Sequence, residues 1–191
     1  MTTASQTSPL PPSRARAGLG FLAAALPAMA VLYMAIYFPY RRDTFPARAL
    51  SAYVVWVAHL AAGVLHLFDA RVSVLDNTIT GPFPLTVILD CTALDAQALL
   101  AAAMFAFNGT WKQKAVGLGA GLAALMALNI ARIVALYVVG LRWPDGFHLV
   151  HEEVCQFVIV AAAFILFAVW VRWVGSAGGG DDRVAGQDAH A

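Results

Sequence analysis

Between Leu19 and Trp173 the chain is a succession of apolar runs, each near the roughly 20 residues a helix needs to cross a bilayer. The runs are Leu19 to Phe38, Leu50 to Phe68, Phe83 to Phe107, Ala115 to Gly140 and Val154 to Trp173. Asp90, Cys91 and Asp95 break the third, which predicts a re-entrant or extended approach and then a helix from about Thr92 to Phe107. Charged residues are 12% of the 191, half the roughly 25% of an ordinary soluble domain and too few to coat a wetted surface. The expected fold class is all-α, a polytopic transmembrane helical bundle of about five spans. One structured exterior loop is expected between spans 2 and 3, where RVSVLDNTITGPFP alternates Val, Ile and Thr around a Gly81–Pro82 turn. The expected organisation is a disordered tail over 1–18, a membrane-embedded domain over 19–173 and a disordered tail over 174–191. The first run exceeds the roughly 7–15 apolar residues of a signal peptide core, so a retained span is expected.

A formal charge of +1 excludes a basic nucleic-acid binder, and two cysteines are too few for a disulfide scaffold or a Cys-rich metal site. No metal or cofactor is expected. With five alternating spans, one side holds Arg41, Arg42, Arg48, Lys112, Lys114, Arg172 and Arg183, and the other only Arg14, Arg16, Arg71 and Arg142. The richer side is expected in the cytoplasm, with the N-terminus and the second and fourth loops outside.

Charge inside a span is costly, and Arg132 sits within ALNIARIVALY of the fourth run. An arginine there costs at least about 2.5–3.5 kcal/mol and calls for a partner or a cavity. Asn129, three residues earlier, shares its helix face. Cys91 opens the third helix in DCTALD, where the positive end of the helix dipole favours thiolate. At about 1.5 Å per residue, Cys91 stands roughly 24 Å above Phe107 and Arg132 roughly 25 Å above Ala115. The same rise puts His151 roughly 31 Å above Arg172 and His148 roughly 36 Å above it, which favours His151 as the imidazole that reaches the pair. A thiol and a guanidinium at one depth, with an imidazole placed to reach down to them, suit acyl transfer: nucleophile, oxyanion stabiliser and proton carrier.

These residues resemble the exosortase/archaeosortase family of membrane transpeptidases. The matching pieces are DCTAL with Cys91 and Thr92, NIARI with Asn129 and Arg132, and FHLVHEEV with His151 and His148, over about residues 83–173. The short length resembles the compact branches, such as exosortase H, more than the longer founding members. The resemblance implies a cysteine transpeptidase or protease of a prokaryotic cytoplasmic (inner) membrane, with its site facing the exterior. Its protein substrate would be an exported chain with a C-terminal sorting signal: a short motif, a transmembrane helix and a basic end. Cys91, Arg132 and His151 would fill the family's catalytic positions, with an acyl-enzyme passing to an acceptor. Glu152 could orient the imidazole or face water. Many members carry Gly where this chain has Ala93.

Other readings stand beside it. Cys155 shares a helix face with His151 and could be a resolving thiol or a core residue. His59, His66, His148 and His151 could hold haem in an electron-transfer protein, although no HExxH-type metal motif is present. A non-enzymatic membrane anchor or transport subunit, with Arg132 as a structural charge, is the third reading. Membrane lipid is the surrounding partner in all three, and the oligomeric state is open.

Overall fold

A computed structural model of the chain describes residues 12–178. Helix α1 spans Pro12–Tyr37 and α2 spans Phe45–His66. A three-stranded antiparallel sheet follows, with β1 at Ser73–Leu75, β2 at Thr78–Thr80 and β3 at Leu85–Thr86. Then come α3 (Leu94–Ala106), α4 (Trp111–Arg142), the single turn α5 (Phe147–Leu149) and α6 (Cys155–Gly178). Helix thus extends into both expected tails, to Pro12 and Gly178; the rest of each tail lies outside the described residues.

Among the described residues four helices are long and apolar enough to cross a membrane: Gly18–Tyr37, Phe45–His66, Trp111–Arg142 and Cys155–Ser176. With the shorter apolar α3 they form a polytopic helical membrane protein. At 13 residues α3 is about 20 Å long, less than the roughly 30 Å hydrocarbon core. It begins at Leu94 and not Thr92, because Ala93 is left-handed at φ 54, ψ 23 and cannot join the helix. The 3-10 turn Leu89–Cys91 precedes it.

Helix α4 starts on a capping box. The Thr110 hydroxyl accepts from the Gln113 N–H at 3.3 Å, and the Thr110 N–H donates to Gln113 Oε1 at 2.9 Å. Small residues then let neighbours close in. A Cβ on Gly117 would lie 2.1 Å from the Trp170 ring, and one on Gly140 would lie 2.3 Å from Phe83. The Trp170 indole donates to the Gln113 carbonyl at 3.0 Å, fixing α6 to the start of α4. Phe83 also meets the edge of Tyr137 and the ring of Phe147 at centroid distances of 6.3 and 5.5 Å.

The expected structured loop is the sheet. Its core face places Ile79 and Val87 among Val57, Ala61, Leu65, Ile133 and Tyr137, so the strands cap one end of α2 and α4. Before the first strand, Arg71 clamps Asp69 at 2.8 Å and holds its carboxyl at about 2, well below the usual range.

The first helix departs from strict alternation. Gly18 and Phe21 share a cavity with Phe107 and Asn108, whereas the Tyr37 hydroxyl donates to Asp90 Oδ1 at 3.0 Å. Helix α1 therefore runs antiparallel to α3, and its C-terminal end lies near Cys91. The C-terminal end of α2 lies there too, with His66 Nδ1 2.9 Å from the Val72 carbonyl oxygen. This corrects the expected direction of α1: packing against α3 carries its N-terminal end to the α3–α4 turn, beside Lys112 and Lys114.

Candidate active site

The thiol of Cys91 stands at the end of the 3-10 turn that links the sheet to α3. The Thr92 hydroxyl donates to the Leu89 carbonyl at 2.6 Å and closes this turn. Asn129 on α4 is fully buried and donates from Nδ2 to the Cys91 carbonyl at 3.0 Å. Two helices and the sheet therefore converge on one residue. Cys91 does not open α3 as expected: Ala93 is the N-cap, and the thiol precedes the helix by three residues. Lying outside the spanning helices, the thiol is pushed up by burial, while a backbone hydrogen bond at Ile88 and the Arg132 charge pull the other way.

His151 comes to it from the opposite wall. Residues Val150–Val154 form a π-turn between α5 and α6, a local widening that often marks functional sites. The turn presents His151 Nε2 at 3.8 Å from Cys91 Sγ, and the Phe147 ring stacks on the imidazole at 5.7 Å and 18°. His148 sits on α5 with an exposed side chain. The side chain of Glu152 lies outside the described residues.

Arg132 lies one turn beyond Asn129, 8% exposed. Among the described residues its Nε and Nη1 have no hydrogen-bond partner, nor has Asn129 Oδ1. A buried guanidinium with no carboxylate partner among the described residues is expensive, and its donors can serve an anion. Beside Cys91 and His151 opens a cavity of about 270 Å³, walled by residues 83–88 on one side and by Ile133, Leu136 and Phe147 on the other.

Of the other polar residues, Cys155 begins α6 as a free, half-buried thiol. His59 Nδ1 lies 2.8 Å from the Val55 carbonyl oxygen of its own helix. Among the described residues no three His, Cys, Asp or Glu side chains group as metal ligands. Sequence reasoning missed the polar ties that hold α3 in place. Gln156 Nε2 donates to Asp95 Oδ2 at 3.0 Å, and the Tyr53 hydroxyl donates to Gln97 Oε1 at 3.4 Å. It also missed the wall formed by residues 83–88, for which the Val/Ile/Thr alternation of the preceding residues and the Gly81–Pro82 turn were the available signal.

Fold and site define a polytopic helical membrane protein whose thiol and imidazole meet beside an open apolar cavity, with the Arg132 charge near enough to act on the thiol. The family model of transmembrane exosortases matches residues 14–169. The chain belongs to the transmembrane exosortase family, and its general function is of the membrane transpeptidase or protease type. No curated protein and no solved structure matches it.

Proposed function

We propose that the protein is a cysteine transpeptidase that cleaves a C-terminal sorting signal of exported proteins and transfers the acyl product to an acceptor. The observation that carries this reading is His151 Nε2 at 3.8 Å from Cys91 Sγ, beside the cavity and the unpartnered donors of Arg132. Catalytic pairs are commonly loose before substrate binds, so this separation is within working range.

In the proposed reaction His151 Nε2 takes the Cys91 proton, and the thiolate attacks the scissile carbonyl carbon. The carbonyl oxygen becomes an oxyanion, stabilised by the Arg132 donors in a site with little water. His151 returns the proton to the leaving amine as the C–N bond breaks, leaving a thioester on Cys91. An acceptor nucleophile (water, an amine or a lipid group) gives its proton to His151 and attacks the thioester. The Cys91 thiolate leaves and recovers that proton. Asn129 holds the Cys91 carbonyl throughout, and no cofactor enters.

Arg16, Lys112, Lys114 and Arg172 lie at the far end of the bundle, while Arg71 and Arg142 lie at the site end. The positive-inside rule then supports a site facing the exterior of a prokaryotic inner membrane. The test is Cys91→Ala with a co-expressed substrate: processing should stop, and continued processing overturns the reading. His151→Ala should abolish processing while His148→Ala leaves most of it; the reverse pattern removes His151 from its role.

A further inference from the structure

The sheet beside the thiol has an open edge. Among the described residues strand β3 pairs with β2 only, in the register Thr78↔Thr86 and Ile79↔Leu85. The Val87 N–H donates to the Asn77 carbonyl at 2.8 Å, and Asn77 Nδ2 donates to the Val87 carbonyl at 2.7 Å. In an antiparallel ladder, hydrogen-bonded pairs alternate with pairs whose main-chain groups point away. Val87 faces β2, so Leu85 does as well, while the Thr86 N–H and C=O point away from the sheet. Among the described residues neither group of Thr86 has a partner. Proteins usually blunt or cover such an edge, because it is a template for another strand.

This strand lines the same cavity as Cys91 and His151. At about 270 Å³ the cavity is smaller than the roughly 300–1,000 Å³ of small-molecule sites, and its far wall is apolar, from Ile133, Leu136 and Phe147. Its size and walls suit the side chains of an extended peptide laid along the edge.

We propose that β3 is the docking strand for the protein substrate: the extended segment beside the scissile bond adds to the sheet as a fourth strand, hydrogen-bonded to the Thr86 main chain, and so delivers its carbonyl to Cys91. Strand addition gives affinity through the main chain and leaves selectivity to alternate side chains, of which one set would face the apolar wall. This inference rests on the transpeptidase reading and deepens it.

The test uses the full chain in detergent and synthetic peptides spanning the cleavage site of the co-expressed substrate. Cys91-dependent cleavage of the parent peptide tests the transpeptidase reading by itself. Thr86→Pro then removes one outward donor without touching the β2–β3 hydrogen bonds and should raise KM about tenfold with kcat nearly unchanged. Val74→Pro makes the same change on β1, since the Val74↔Ile79 pair also points its main chain away, and should leave KM within about twofold. Single amide-to-ester replacements along the peptide, with the unaltered enzyme, keep the proposal testable if Thr86→Pro misfolds. They should weaken binding at every second position. An unchanged KM for Thr86→Pro, an equal rise for Val74→Pro, or ester effects without alternation overturns strand addition. Each of these results leaves Cys91 catalysis intact, whereas cleavage by Cys91→Ala removes the reading beneath it.

Discussion

Asn129 is where stability and activity should separate. Its Nδ2 donates to the Cys91 carbonyl at 3.0 Å, and both residues are buried, at 0% and 7% exposure. Asn129→Leu keeps the number and branching of the side-chain heavy atoms and removes the donor, so the carbonyl is orphaned at a cost of about 1–3 kcal/mol. The same substitution deletes Oδ1, itself buried and without a partner among the described residues, which relieves a cost of the same order. The two terms offset, and the net change should stay within about 1 kcal/mol, or about 2–4 °C in Tm for a chain of this length. Activity has no such offset. Freed from α4, the Cys91 turn loses its tie to the face that carries Arg132, and a misplacement of about 1 Å costs about 100-fold in rate. Thermal unfolding in detergent and single-turnover thioester formation on Cys91, followed by intact mass, read the two quantities. Acylation at the normal rate would refute the reasoning. So would a fall in Tm beyond about 8 °C, because the orphaned carbonyl would then be uncompensated.

The other predictions concern neighbouring residues. Ala93→Gly relieves a left-handed residue by about 1–2 kcal/mol but loses a buried methyl worth about 0.8 kcal/mol and adds unfolded-state freedom of about 0.4–1 kcal/mol. Its Tm should therefore stay near that of the parent; a drop equivalent to more than about 2 kcal/mol would mean the terms are misjudged. In a Cys155→Ala background, maleimide labelling of Cys91 should have its pH midpoint above the roughly 8.5 of a free thiol, because burial raises this group. Arg132→Gln should move that midpoint further up; labelling that titrates at or below 8.5, or ignores Arg132, contradicts the site electrostatics. Gly140→Ala drives a methyl to 2.3 Å from Phe83, and overpacking of this kind costs about 1–3 kcal/mol. Processing should fall with it as residues 83–88 shift; a variant with normal Tm and processing would show that Phe83 moves freely.

Hydropathy made the membrane class and the long spans readable, because a lipid environment forces backbone groups into helices. Depth along those helices was enough to pair Cys91 with His151 before His148, since rise per residue is nearly constant wherever the helix is regular. It was less informative where regularity ends. No residue pattern announces the π-turn at Val150–Val154, which depends on how α6 packs, or the left-handed Ala93 that delays α3. The direction of α1 escaped the Lys/Arg count because side-to-side contacts with α3 decide it, and composition does not record contacts. The sheet was foreseen as structure in the loop, but strands of two or three residues carry too little period to reveal their register.

The indole of Trp170, held by the Gln113 carbonyl and walled by Phe107 and Phe167, works as a fulcrum for α6. His151 rides on the other end of that lever, 19 residues away in sequence and about 28 Å along the axis. A tilt of about 5° about the fulcrum swings the imidazole by about 2.5 Å, most of its 3.8 Å separation from the thiol. The spacing of thiol and imidazole is therefore set by the inclination of a whole helix as much as by any side-chain rotamer.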